Sequence, residues 1–148
     1  MKRRDFLCQS SATATLLSLG SLSLTSFVPE AGSRQITILH TNDVHSHIDP
    51  FGPKSGRNSN KGGIARRASL IQSLRDQNPN TLLLDAGDIF QGTPYFNYYG
   101  GELEFKLMSI LKYDLATIGN HDFDNGIEGL HKQLPHANFD FVSANYDF

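Results

Sequence analysis

Thr81-Leu82-Leu83-Leu84-Asp85-Ala86-Gly87-Asp88-Ile89-Phe90-Gln91-Gly92 is a short apolar run that stops abruptly in two acids, two glycines and an amide. Leu82, Leu83 and Leu84 read as a strand buried on both faces, the pattern of a parallel sheet. Asp88 then falls just past the carboxyl end of that strand. In open α/β sheets, ligands bind in the crevice outside those ends. Gly87 and Gly92 permit the bends and close approaches of a site-forming loop, and Asp85 reads as a support for the loop rather than a ligand.

Two other segments share this design. Residues 35–40 carry β-branched side chains and read as a first strand, which ends in Thr41-Asn42-Asp43-Val44-His45-Ser46-His47. Asp43 and His45 are two apart. On an extended backbone, residues i and i+2 point the same way, so a carboxylate and an imidazole converge as a metal pair requires. His40 and His47 read as structural or substrate-side groups. Residues 113–118 form a third strand, ending in Gly119-Asn120-His121-Asp122-Phe123-Asp124-Asn125-Gly126.

The connecting segments complete the architecture. Residues 49–63 are rich in Gly, Pro and Asn and form a loop, with Lys54, Arg57 and Lys61 in water or near an anionic substrate. Ile64, Ala68, Leu70, Ile71 and Leu74 recur at helical spacing and predict a helix over 64–77, with Arg66, Arg67 and Arg75 facing water. Residues 78–80 make a turn and residues 94–101 an aromatic, flexible segment that serves packing. Further helices are expected over 101–111 and 127–134, and a fourth strand over 139–145. The order βαβαβαβ is an α/β pattern with right-handed crossovers.

Size and composition fit one core. The chain has 148 residues, 39% of them hydrophobic and 19% charged, with a net charge of −2. Removing the first 30 takes away three basic and two acidic side chains and moves the charge to −3. That balance excludes a nucleic-acid polymer as partner. Met1-Lys2-Arg3-Arg4-Asp5-Phe6-Leu7 followed by a weakly apolar, Ser/Thr/Leu/Ala-rich stretch has the order of an export signal. Its Arg-Arg-x-Phe-Leu pattern resembles a twin-arginine signal, which addresses a folded protein to the twin-arginine export machinery and to the periplasm or cell surface. Residues 1–33 are taken as that signal. The lone Cys8 lies within it, so a metal must be held by His, Asp, Asn or Gln, a set suited to borderline or hard divalent ions.

Three polar clusters at three successive strand ends meet at one sheet edge. They supply Asp43, His45, Asp88, Asn120, His121 and Asp124. Two-metal hydrolysis of a phosphate ester uses such a set: a carboxylate bridges cations about 3.5–4 Å apart, which lower the pKa of a water and stabilise in-line displacement. A histidine oriented by a carboxylate can supply positive charge or a proton to the leaving oxygen.

Asp43-x-His45, Gly87-Asp88-x-x-Gln91-Gly92 and Gly119-Asn120-His121-Asp122 resemble the motifs of calcineurin-like metallophosphoesterases. The longer strings Leu39-His40-Thr41-Asn42-Asp43-x-His45-Ser46, Gly62-Gly63-Ile64-Ala65-Arg66 and Gly119-Asn120-His121-Asp122-Phe123-Asp124-x-Gly126, with Ser143-Ala144-Asn145, are similar to the 5′-nucleotidase branch. The resemblance implies a metallophosphoesterase β-sandwich flanked by helices and a cofactor of two divalent ions such as Zn²⁺ or Mn²⁺. It implies Asp43 and His45 on the first metal, Asp88 bridging both and Asn120 on the second through its carboxamide oxygen. His121, paired with Asp124, would stabilise the transition state and assist the leaving group. The substrate class would be nucleoside 5′-monophosphates. A 2′,3′-cyclic phosphodiesterase, a nucleotide-sugar hydrolase and an inactive fragment are the alternatives, and no substrate-binding residue is assigned. Asp122 stands where the family often has Glu, and Asn145 reads as a turn or a residue near the site.

The same resemblance implies further strands carrying two more metal-binding histidines, and a separate C-terminal nucleotide-binding domain. His131 and His136 do not fit those motifs and read as surface residues. Residues 34–148 are therefore expected to be the N-terminal part of a metallophosphoesterase domain, incomplete at the C-terminus, with half of the site.

Overall fold

The computed structural model describes residues 35–145; the expected export signal lies outside them. Four strands, β1 (Thr37–Thr41), β2 (Thr81–Asp85), β3 (Leu115–Ala116) and β4 (Asp140–Phe141), form one parallel sheet in the order β1-β2-β3-β4. The helices are α1 (Ile64–Gln77), α2 (Pro94–Tyr99), α3 (Glu102–Ile110) and α4 (Gly126–Gln133). Short 3₁₀ turns occupy Gly56–Asn58, His121–Phe123 and Leu134–His136. No helix among the described residues is long and apolar enough to cross a membrane.

Each strand pairs with the next in sequence. Right-handed crossovers that always step the same way put their helices on one side of the sheet. Side-chain burial agrees with this. Leu39, Leu83, Ala116 and Phe141 alternate onto the face that joins Ile71, Phe105, Met108 and Leu130 in one core. On the opposite face Ile38 is 60% and Leu82 43% exposed, whereas Leu83 is 1% exposed. The expectation that Leu82 to Leu84 are buried on both faces is thus corrected, because one-way winding covers one face only.

Helix α1 has the expected bounds. It starts after Gly63 and stops at Asn78, whose extended backbone leads into Pro79. Two of its arginines do not face water. Arg67 reaches to within 3.4 Å of the Tyr113 hydroxyl, and Arg75 donates to the carbonyls of Leu111 and Lys112, tying α1 to the turn after α3. Leu70, expected on the packing face, is exposed. Residues 94–99, expected to be flexible, form α2. Pro94 suits its first turn, and Gly100, at φ 63°, closes it with the N–H donated to Phe96 O. Phe90 packs on Phe96 and Phe105 at ring separations of 5.3 and 4.8 Å.

Strands β3 and β4 are shorter than expected. Before β3, the Asp114 N–H donates to Leu83 O at 2.9 Å while its carboxylate accepts the Leu83 N–H at 2.7 Å, closing the pairing through a side chain. Beyond the strands only single bonds continue the pairing, Thr117 N–H to Asp85 O and Val142 N–H to Ala116 O. Asn145 accepts from the Ser143 hydroxyl on the exposed surface, the geometry of a local turn.

Candidate metal centre

The loop after β1 is not extended. Asp43, His45 and Ser46 have φ of 50°, 49° and 56°, in the left-handed region. The convergence expected from i, i+2 geometry therefore has another cause. Loop backbones keep pairing past the strand ends: Asp43 N–H donates to Gly87 O, His45 N–H to Asp88 O and Ser46 N–H to Ile89 O. This ladder sets His45 beside Asp88, itself at φ 55°. The donor atoms of Asp43, His45 and Asp88 lie within 4.8 Å of one another.

The histidine is oriented for ligation. His45 Nδ1 lies 3.3 Å from the Phe90 carbonyl, which selects the tautomer with the proton on Nδ1. Nε2 keeps its lone pair and sits 3.8 Å from Asp43 Oδ1. Ligating histidines characteristically give their other N–H to such an acceptor. Two carboxylates and an imidazole so arranged fit a borderline or hard divalent cation.

The loop after β3 closes the site from the other side. His121 N–H donates to Asp88 Oδ1 at 3.0 Å. Space is tight here: a Cβ on Gly119 would lie 2.1 Å from Asp88 Oδ1, and one on Gly87, at φ 92°, would lie 2.6 Å from Gly119 N. Asn120 stands between these two contacts with its side chain exposed, and no hydrogen bond of its carboxamide occurs among the described residues. The His121 ring meets the His45 ring edge-on at 5.2 Å. Its Nδ1–H donates to Asp124 Oδ2 at 3.0 Å. That hydrogen bond, with the nearby charges of Asp124, Asp88 and Asp122, raises the His121 pKa against partial desolvation. The geometry brings together Asp43, His45 and Asp88, with His121 and Asp124 alongside. His131 is exposed, as expected. His136 is half-buried, 3.9 Å from Glu102, rather than a free surface residue.

Two buried carboxylates hold the loops. Asp122 accepts four backbone N–H groups: Asp88 at 3.1, Ile89 at 2.9, Phe90 at 2.9 and Gly119 at 2.8 Å. It thereby ties the second loop to the third. Burial pushes its pKa up, and the bonds from Gly119, Phe90 and Ile89 oppose that. Asp85 takes the Thr41 hydroxyl and the Gly87 N–H, and burial raises its pKa to about 6. Thr41 also meets Tyr113 at 2.8 Å, which joins Arg67 to this network. The reading of Asp85 as a loop support agrees with these contacts. Asp122 is a different case: in the sequence it stands out only as a variation on Glu, although an acid three residues past Gly119 at a turn is placed to cap backbone N–H groups. A groove of about 680 Å³ opens beside Asp43 and His45, with Phe51, His47 and Arg66 on its walls.

Known proteins share this arrangement's sequence and fold. The 5′-nucleotidase of Homo sapiens is 45% identical over 140 residues, covering 90% of this chain and 24% of that protein. The snake venom 5′-nucleotidase of Crotalus adamanteus is 49% identical over 119 residues, covering 78% and 20% respectively. The crystal structure of the 5′-nucleotidase precursor from Thermus thermophilus superposes with a TM-score of 0.69 at 44% identity, over 76% of this chain and 22% of that one. The chain thus spans between a fifth and a quarter of the length of these relatives. Residues 36–147, the whole of the sheet and all three strand-end loops, match the family described as Calcineurin-like phosphoesterase, and with the acids and histidines converging as above, the chain belongs to that family.

Proposed function

We propose that this chain forms part of the catalytic centre of a metal-dependent phosphohydrolase acting on nucleoside 5′-monophosphates. The observation that carries the reading is the meeting of Asp43, His45 and Asp88 within 4.8 Å beside the His121–Asp124 pair. Relatives named 5′-nucleotidases support the substrate class.

In this reading Asp43, His45 and Asp88, with the Asn120 carboxamide oxygen, would hold the divalent ions. When bound, divalent cations would lower the pKa of a water and supply positive charge to the phosphate ester. His121 does the protein's own chemical work. Its raised pKa favours the imidazolium, so Nε2–H can donate to the leaving oxygen as negative charge develops there. Asp124 fixes the ring through Nδ1 and stabilises its positive charge. The left-handed loops hold these groups in place before substrate arrives, which lowers reorganisation in the transition state.

The first 33 residues would export the protein by the twin-arginine route to the periplasm or cell surface. A venom protein and a precursor among the relatives fit export.

The test uses the full-length protein, stripped with a chelator and reloaded with Zn²⁺, Mn²⁺ or Co²⁺. Phosphate release from AMP should return with metal, exceed turnover of 2′,3′-cyclic AMP and UDP-glucose, and vanish in Asp88→Ala. Equal turnover of AMP before and after chelation would overturn the reading; preference for the cyclic or sugar nucleotide would replace the substrate class.

A further inference from the structure

Helix α3 carries a buried acid outside the cluster just described. Glu104 is 3% exposed, in the first turn of α3. Its surroundings are largely apolar: a small void beside it is lined by Ile89, Leu107 and Met108, with Ser46 and Arg67. An apolar side chain would pack there without the desolvation penalty that a carboxylate carries. One oxygen, Oε2, is buried without a hydrogen-bond partner. The other, Oε1, accepts the Ser46 hydroxyl.

Ser46 is the only fully covered residue of the left-handed turn, at 0% exposure, and it follows His45 directly. Four contacts pin it besides its N–H bond to Ile89 O: Glu104 on its hydroxyl, the Ile48 N–H on its carbonyl at 2.8 Å, and Thr93, which donates to the same carbonyl at 2.8 Å and meets the hydroxyl at 3.0 Å. A non-glycine residue at φ 56° stays there when its surroundings over-determine it. The peptide between His45 and Ser46 is fixed by these bonds, and with it the direction in which the imidazole leaves the backbone.

We infer that Glu104 is a positioning residue for the metal centre, a buried carboxylate that locks Ser46 and through it aims His45 Nε2 at Asp43 and Asp88. The inference rests on reading Asp43, His45 and Asp88 as metal ligands. Glu104 itself touches neither metal ligand nor substrate. Removal of a residue supporting a ligand characteristically weakens metal affinity about 10–100-fold.

The experiment compares Glu104→Leu, Glu104→Gln and Ser46→Ala in the full-length protein. Hydrogen–deuterium exchange reports on the amides of His45 and Ser46, which donate to Asp88 O and Ile89 O; Co²⁺ titration with its visible absorption spectrum reports on the ligands. Glu104→Gln keeps an oxygen for the Ser46 hydroxyl and should hold both readouts within about threefold of wild type. In Glu104→Leu the peptide covering residues 43–47 should exchange at least tenfold faster, with α1 and α4 unchanged, and Co²⁺ should bind at least tenfold more weakly with an altered spectrum. If Glu104→Leu does not fold, Ser46→Ala should give the same local change. Unchanged exchange at 43–47, or equal loss of protection across α1, α4 and the loop, would overturn the positioning role. Wild-type protein that takes no Co²⁺ would defeat the metal reading instead, and the exchange data would still judge the clamp.

Discussion

Replacing Asp122 by Asn tests how the second and third loops are joined. Oδ1 accepts from Ile89 and Phe90, and Oδ2 from Asp88 and Gly119. Asn keeps one oxygen, so two N–H groups lose their acceptor and face an NH₂ group instead. Net contributions of hydrogen bonds to a charged group run at about 1.5–3 kcal/mol each, so two lost bonds remove roughly 3–6 kcal/mol. Burial opposes the charged form of Asp122, as its raised pKa records, so neutralisation returns part of that loss. The expected net local destabilisation is about 2–3 kcal/mol, equivalent to a roughly 30- to 150-fold change in an equilibrium constant. Hydrogen exchange of the amides of residues 88–90 in the full-length protein measures it directly, as faster exchange of that size with α1 unaffected. Metal affinity should fall with it, since Asp88 rides on the same loop. Exchange at residues 88–90 within twofold of wild type would refute the reasoning.

Three further perturbations separate the other contributions. Asp85 has a folded pKa of about 6 against 3.8; its stabilising contribution is present below pH 3.8 and lost as pH rises through about 6, a swing of about 3 kcal/mol. Denaturant midpoints should therefore show Asp85→Asn gaining about that much relative to wild type between pH 4 and pH 7.5, and a pH-independent difference would contradict the assignment. Asp124→Asn removes the main cause of the raised His121 pKa, so the limb of the kcat/KM profile that needs imidazolium should move to lower pH; an unmoved limb would separate Asp124 from His121 function. Gly119→Ala would place a methyl group 2.1 Å from Asp88 Oδ1 and displace that carboxylate, so turnover should drop by roughly 10²-fold, as for an ångström-scale misplacement. Full activity in that variant would show that Asp88 need not hold its observed position.

Local signals made much of this protein legible. Gly62-Gly63 and Asn78-Pro79 punctuate α1 on both sides, so its bounds could be read from the sequence. The three loops were visible because each follows an apolar run and carries its acids and histidines in short motifs. Long-range physics hid the rest. The exposure of Leu82 depends on which way every crossover steps, which no window of residues encodes. Arg67 and Arg75 stand one turn either side of buried Ile71, and their acceptors come from distant Tyr113, Leu111 and Lys112. Asp122 does its work on backbone groups more than 30 residues away, and no side-chain motif announces such a bond.

Of the seven non-glycine residues with positive φ among the described residues, five (Asp43, His45, Ser46, Asp88 and Gln91) lie in the loops of the candidate metal centre, while Asn60 and Lys112 lie elsewhere. At about 1 kcal/mol or more apiece, the five together hold a substantial share of the roughly 5–15 kcal/mol typical of a folded domain. Glycine would relax such a backbone, and at Lys112 it could do so harmlessly. At Asp43, His45 and Asp88 it would delete the donor atom along with the strain. If these three side chains ligate as proposed, durability and ligation compete at the same three positions, and selection for heat resistance alone would drive this protein toward a tougher molecule that can no longer hold an ion.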